Sequence, residues 1–315
     1  MTDYIVPVAY DTLEERLEAM DRDGFVYFPQ LIKKDEIEQL RSHMEALEGI
    51  PESFDQDSTR ELNTDRYGSN APFLNKHINN CFNRDPFFLK YLDYPEIIDV
   101  WEAIHGLDCH VIAMTSWITG PGRPDQDLHA DWQPYSLPEE YMQDPRVKMP
   151  NYISTFHVYL DDLYEELGPT KVIPGSHKAG LDTHCPADDF YKKFNQSVGG
   201  GIPEELINGK DAVSVPVNAG DVIFLHRLTK HASLPNFSNK LRWSFDLRYH
   251  PTHQFSGHPL KPSWVTRSKD NPSTEIKDWK IWARMWRDAQ SQLVKTKQVP
   301  IYIQYSPENP LCAPS

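Results

Sequence analysis

Residues 240–249 constrain the fold more than any other stretch. Lys240-Leu241-Arg242-Trp243-Ser244-Phe245-Asp246-Leu247-Arg248-Tyr249 alternates polar and apolar side chains without a break. Successive side chains of a strand point to opposite faces, so Arg242, Ser244, Asp246 and Arg248 share one face and Leu241, Trp243, Phe245, Leu247 and Tyr249 the other. The apolar face needs a core to pack on. The polar face must look into a wet cavity or at solvent.

Further short β-prone runs, punctuated by Gly and Pro, occupy 109–118, 127–133, 152–160, 170–173, 213–217 and 221–226. Many short strands at irregular spacing predict a sandwich or closed barrel. Helical spacing comes before and after them. Leu13, Leu17 and Met20 precede the breaker Asp23-Gly24 and the β-prone run Phe25-Val26-Tyr27-Phe28. Ile37, Leu40, Met44 and Leu47 mark a second amphipathic helix, 85–105 a third, and Trp279, Trp282, Trp286, Ala289 and Leu293 a C-terminal helix docked on the body. The polar, aperiodic stretch 49–75 reads as a long loop, and 178–211, with Gly199-Gly200-Gly201, as an insertion between strands.

Apolar residues make up 39% and aromatic residues 12% of the chain, enough for a sizeable core. Asp and Glu outnumber Lys and Arg by 46 to 32, and a net charge of -14 repels phosphate backbones, so nucleic acid is not an expected partner. Four dispersed cysteines without a C-x-x-C pair suit a reducing compartment. The first residues lack a basic and then apolar leader pattern, and no apolar run approaches membrane-spanning length. A cytoplasmic protein that does not insert in membranes is the expectation.

Three features could carry chemistry. His129-Ala130-Asp131 sets an imidazole and a carboxylate at i and i+2, where one strand face can present both to a metal ion. His231 follows Gly220-Asp221 and an apolar run and is a candidate third ligand, with His226 a competitor. Two histidines and one carboxylate on one side of a metal form the facial triad of non-haem Fe(II) oxygenases, which leaves positions open for a co-substrate and dioxygen. Arg242 can hold a carboxylate bidentately, with Ser233 or Ser244 adding a hydroxyl contact; Arg248 could take that role instead, or pair with Asp246. Pro174-Gly175-Ser176-His177 reads as a turn with a structural histidine. Trp132, Trp117, Tyr152 and Phe156 are candidates for a substrate wall, although the strand around 152–160 has two alternating faces and the sequence does not say which one looks inward.

In order and spacing, these motifs resemble the phytanoyl-CoA dioxygenase-like family of Fe(II)/2-oxoglutarate oxygenases. The match rests on His129-x-Asp131, Gly168-Pro169-Thr170 leading into Ile173-Pro174-Gly175-Ser176-His177, Gly220-Asp221, His231-Ala232-Ser233, and Arg242 eleven residues beyond His231. Asp23-Gly24-Phe25-Val26 followed by an amphipathic helix also matches, so the resemblance spans about residues 15 to 250.

The resemblance implies a mainly β, cupin-like double-stranded β-helix, or jelly roll, with flanking helices. The expected layout is a single domain over 1–315, with N-terminal helices at about 11–105, a jelly-roll core at about 106–250 and a C-terminal extension with a helix at about 277–294. His129, Asp131 and His231 would ligate Fe(II), and Arg242, Ser233 and Ser244 would hold 2-oxoglutarate. The implied activity is hydroxylation, or another oxidation by O2, of a C–H bond in a small or medium metabolite, with natural-product biosynthesis as one setting, and with release of succinate and CO2. Asp131 as the metal carboxylate favours hydroxylation over halogenation. A non-catalytic jelly-roll binding protein and a cupin-type metal-dependent hydrolase or isomerase are the alternatives.

Overall fold

The computed structural model describes residues 5–48, 75–79, 81–123, 125–131, 154–180, 182, 201–207, 211–251 and 264–296. All of the expected loop 49–75 except Asn75, where a strand begins, and most of the expected insertion 178–211 lie outside these residues.

Helix α1 (Leu13–Asp23) starts at a capping box, in which the Thr12 hydroxyl accepts from Glu15 N and the Glu15 carboxylate accepts from Thr12 N. It ends at Gly24, whose φ of 80° is the left-handed conformation that glycine adopts without strain. The chain turns there directly into β1 (Phe25–Phe28). Helix α2 (Lys34–Glu48) opens with Asp35 and Glu36, whose charges favour the positive end of the helix dipole.

The single helix expected over 85–105 is two elements. A 3-10 turn over Pro86–Tyr91 is followed by helix α3 (Pro95–His105). Pro95 disfavours helical backbone at the residue before it, and Tyr94 is extended at φ −81° and ψ 115°, so the helix must restart.

The remaining strands are β2 (Asn75–Asn79), β3 (Cys109–Thr119), β4 (Ser154–Tyr159), β5 (Thr170–Val172), β6 (Val213–Val215), β7 (Val222–Leu225), β8 (His231–Ser233), β9 (Arg242–Pro251) and β10 (Trp264–Arg267). Among the described residues the larger sheet runs β1-β7-β4-β9-β3-β10, with β2 also paired to β3, and the smaller runs β6-β5-β8. Every ladder is antiparallel.

The expected run 127–133 is not a strand in its described part, 127–131. It meets β8 through one bridge, His129 to His231, with reciprocal backbone bonds of 3.0 and 2.9 Å. Strands β2, β8 and β10 had no sequence signal; the three residues of β8 are too few to show a period.

The apolar face of β9 behaves as its alternation requires. Trp243, Phe245, Leu247 and Tyr249 join Phe156, Val158 and Phe224 in the main core, together with Met20, Leu40, Met44, Ile98 and Trp101 from the helices. Each such side chain contributes about 1.5–3 kcal/mol on full burial. A second core, with Phe25, Leu163, Val172, Val215, Ile223 and Leu225, joins the two sheets. Two sheets closed on each other with helices against one outer face make a double-stranded β-helix.

Helix α4 (Trp279–Thr296) docks through Trp282, which is fully buried with its ring 5.4 Å from that of Phe82. Asp221, at the turn before β7, ties the N-terminal segment to the sheet. Its carboxylate accepts from Tyr27 Oη at 2.5 Å, from Asn218 N at 2.6 Å and from Gln30 N at 2.8 Å.

Candidate metal centre

Residues directly opposite in an antiparallel pair share a face. In the β3–β9–β4 ladders Thr119 faces Arg242, Trp117 and Tyr159 flank Ser244, and Thr115 and His157 flank Asp246. The polar face of β9 is therefore continued on both neighbouring strands, and it looks toward β8 and the segment 125–131.

That segment and β8 bring together His129, Asp131 and His231, whose ligand atoms all lie within 4.8 Å of one another. The two imidazole centroids are 4.5 Å apart. His129 Nδ1 is 2.9 Å from Asp127 O, and His231 Nδ1 is 2.9 Å from Thr229 O. A carbonyl only accepts, so each Nδ1 carries the proton and each Nε2 presents a lone pair, the tautomer that a metal takes.

Burial, and then the charge of His231, pushes the His129 imidazole down to about 4. Burial also lowers His231, against the opposing pull of Asp131. For Asp131 burial acts upward, but His231, Arg248, His157 and His129 outweigh it and hold the carboxyl well below its usual range. Two neutral imidazoles and one carboxylate result. Asp131 Oδ2 is buried and makes no hydrogen bond, an orphan that a cation would satisfy. Nitrogen and oxygen donors without sulfur suit Fe(II).

Several residues away along β9, Arg242 is enclosed by neutral acceptors. Its guanidinium donates to Gly168 O, to Ser233 Oγ at 3.3 Å and to Thr119 Oγ1 at 3.5 Å. Burial, and then the charge of Arg123, pushes it down to about 9. A desolvated cation amid hydroxyls is a receptor for an anion. Gln126 fixes the neighbouring Ser233, donating from its backbone to Ser233 O at 3.1 Å and accepting from Ser233 N at 3.2 Å.

Level with the triad, His157 Nδ1 pairs with Asp246 Oδ1 at 2.7 Å, and the His157 ring lies 5.7 Å from that of His231. Burial acts to lower the His157 imidazole, but Asp246 prevails and raises it. Arg248 is 3.7 Å from Asp246 Oδ2 and 3.9 Å from Asp131 Oδ1.

Of the sequence candidates, the three triad residues converge, Ser233 touches Arg242, and Ser244 and Trp117 lie opposite each other on the same face. The expectation for Phe156 is overturned. It lies on the other face of β4, fully buried in the main core and stacked on Phe224 at 4.0 Å, because the alternation of β4 sends His157 and Tyr159 inward. Trp132 and Tyr152 lie outside the described residues. His226, the competing ligand candidate, is instead 4.9 Å ring to ring from His177, away from the triad. Sequence reasoning missed the His157–Asp246 pair, the Thr119 and Gly168 contacts of Arg242, and the Tyr159–Thr170 hydrogen bond of 2.6 Å. Only the polar face of β9 hinted at them.

The family model for phytanoyl-CoA dioxygenase matches residues 20–244. The chain belongs to the phytanoyl-CoA dioxygenase family. Among curated relatives it is 27% identical to a 1-deoxypentalenic acid 11-beta-hydroxylase of Streptomyces arenae, over 56% of this chain and 62% of that protein. It is 23% identical to an L-proline trans-4-hydroxylase of Streptomyces griseoviridis, over 81% and 92%. The match thus spans 62% to 65% of the length of the deoxypentalenic acid hydroxylases. Among solved structures, the non-heme alpha ketoglutarate dependent carbocyclase SnoK from nogalamycin biosynthesis superposes with a TM-score of 0.55 at 16% identity, over 96% of this chain and 98% of that one, which shows a shared fold. No helix among the described residues is long and apolar enough to cross a membrane.

Proposed function

We propose that this chain is a non-haem Fe(II)- and 2-oxoglutarate-dependent dioxygenase that hydroxylates a C–H bond of a small or medium metabolite. The observation that carries the reading is the triad. His129, Asp131 and His231 present two lone-pair nitrogens and an unsatisfied carboxylate oxygen to one point. In this reading they hold Fe(II). Arg242, with Ser233 and Ser244 beside it, receives the distal carboxylate of 2-oxoglutarate, and Trp117 lines the cavity. The bound metal, dioxygen and 2-oxoglutarate together supply the oxidation: one oxygen atom goes to the substrate, the other to succinate, and CO2 leaves.

The chain's own work is placement. The carbonyls of Asp127 and Thr229 lock both imidazoles in the metal-binding tautomer, and Arg242 fixes the far end of the co-substrate, so that its 2-oxo acid head meets the triad in one orientation. Asp131 occupies the third protein position and leaves none there for a halide, which supports hydroxylation over halogenation. Named relatives that hydroxylate 1-deoxypentalenic acid and L-proline support a small-molecule substrate, with a place in natural-product biosynthesis. The buried thiols of Cys81 and Cys109 suit a reducing, cytoplasmic setting.

Metal-free protein titrated anaerobically with Fe(II) and then 2-oxoglutarate tests the reading. A visible metal-to-ligand charge-transfer band is expected, absent in His129→Ala. No band from folded, Fe(II)-loaded wild type would shift the assignment to a binding protein or a cupin-type hydrolase.

A further inference from the structure

At the triad end of the polar face, two carboxylates each divide their oxygens between different partners. Asp246 has Oδ1 at 2.7 Å from His157 Nδ1 and Oδ2 at 3.7 Å from Arg248 Nη2. Asp131 has Oδ1 at 3.9 Å from that same Nη2, while its Oδ2 lies 3.8 Å from His231 Nε2, is buried and makes no hydrogen bond. One nitrogen of Arg248 therefore stands between the two acids, and His157 takes the remaining oxygen of Asp246. The hydrogen bonds of Arg242 go to neutral acceptors, whereas Arg248 already faces two carboxylates.

The fold alone does not settle how the Asp131 carboxylate is turned. The bridge that fixes its segment to β8 lies at His129, two residues earlier, and sets the backbone. The last side-chain torsion of an aspartate is broad and roughly two-fold, so a backbone held in place still leaves both oxygens able to rotate toward a metal. An ion pair to one oxygen removes that freedom. Asp246 and Arg248 sit two residues apart on one face of β9, and β9 is paired on both sides, to β3 and β4, so the pair that reaches Asp131 is itself built on a rigid strand.

We propose that Arg248 is a positioning residue of the metal centre. Set by Asp246, and through it by His157, it holds Oδ1 of Asp131 and so turns Oδ2 toward the two imidazoles. The inference rests on the reading of the triad as an iron site and deepens it: with one carboxylate oxygen offered to the metal rather than two, positions stay open for co-substrate and dioxygen. A ligating carboxylate is commonly held this way by a partner that does not itself touch the metal.

Charge and positioning predict opposite signs. A cation beside a metal-binding carboxylate repels the metal, so if Arg248 acted by charge alone its removal would tighten metal binding. If it positions Asp131, removal should weaken binding by about ten- to hundred-fold. Metal-free wild type, Arg248→Met, Arg248→Lys and His129→Ala, each checked for folding by circular dichroism, are titrated with Co(II), an air-stable stand-in for Fe(II), against a chelating dye. Arg248→Met should bind about ten-fold more weakly or worse, with an altered visible Co(II) spectrum. Arg248→Lys, which returns a cation between the two acids, should recover most of the affinity and the wild-type spectrum. If Arg248→Met fails to fold, the neutral Arg248→Gln takes its place.

Unchanged or tighter Co(II) binding in the neutral variant, with binding lost in His129→Ala, would overturn the proposal and leave the triad standing. A Lys variant as weak as the neutral one would trace the loss to packing at position 248 and overturn it as well. Wild type that binds no Co(II), or binds it as well as His129→Ala does, would overturn the reading of the metal centre itself, so the two failures are distinguishable.

Discussion

Arg242 illustrates how a residue built for binding strains the fold that holds it. Its guanidinium is desolvated among a carbonyl and two hydroxyls, and burial together with Arg123 pushes it down to about 9. Replacing a buried, poorly compensated charge with an apolar side chain of similar length is often neutral or stabilising. Arg242→Met should therefore melt at or above the wild-type temperature while losing a charge-assisted contact to 2-oxoglutarate worth about 1.5–3 kcal/mol. Charge-transfer titration should show a ten- to hundred-fold weaker 2-oxoglutarate affinity, with Fe(II) binding retained. A large drop in melting temperature would show that Arg242 serves the fold instead. At this scale the sequence was informative: His129, Asp131, His231, Ser233 and Arg242 all stood out by type and spacing. The His157–Asp246 pair did not, because it depends on the register of β4 against β9, and alternation within one strand carries no information about its neighbour.

Elements meet behind the triad at a knot made of motifs that carry no chemistry of their own. Gly24 ends α1, and its carbonyl accepts from Thr229 Oγ1 at 2.6 Å and from His226 N at 2.9 Å. Gly175 N donates to Asp23 O at 2.8 Å, and His177 Nε2 lies 3.1 Å from Asp21 O. The helix end, the Pro-Gly turn and the approach to β8 are thereby fixed to one another, and β8 carries His231. A Cβ on Gly24 would collide with His177 Nδ1 and Thr229 Oγ1, at a backbone φ of +80°. Gly175 is the control, left-handed as well at φ 73° and ψ −2°, where an added Cβ would meet only Arg22 O at an ordinary 3.5 Å. Both Ala variants incur the left-handed backbone penalty of about 1–2 kcal/mol. Gly24→Ala should lose about 1–3 kcal/mol more, because the knot must open. Denaturant midpoints measure the difference, and equal losses would mean that the knot yields freely. The sequence marked each of these turns but not their meeting. It also merged the 3-10 turn with α3, because apolar spacing continues across a break set by the backbone before Pro95.

For the whole molecule, acid pulls stability in two directions. Lowering the pH from 7 toward the isoelectric point near 5.3 removes a net charge of -14 and relieves self-repulsion, which alone would raise the melting temperature. Buried histidines oppose this. Burial, and then neighbouring charge, holds His226 down to about 3 through His177 and His105 down to about 3 through Arg227, from an ordinary 6.5. Such groups are neutral in the folded chain and protonate first in the unfolded one. Their contribution is therefore complete above pH 6.5 and is lost as pH falls toward 3. Surface repulsion is screened over about 8 Å at physiological salt, whereas desolvation of a buried imidazole is not, so the histidines should prevail. The melting temperature should then fall steadily from pH 6.5 through 5.3 rather than peak at the isoelectric point. His226→Gln, which can still accept the 3.2 Å bond from Leu228 N, should flatten that limb. A maximum near pH 5.3 in wild type, or an unchanged slope in the variant, would place the acid response in the surface charge instead.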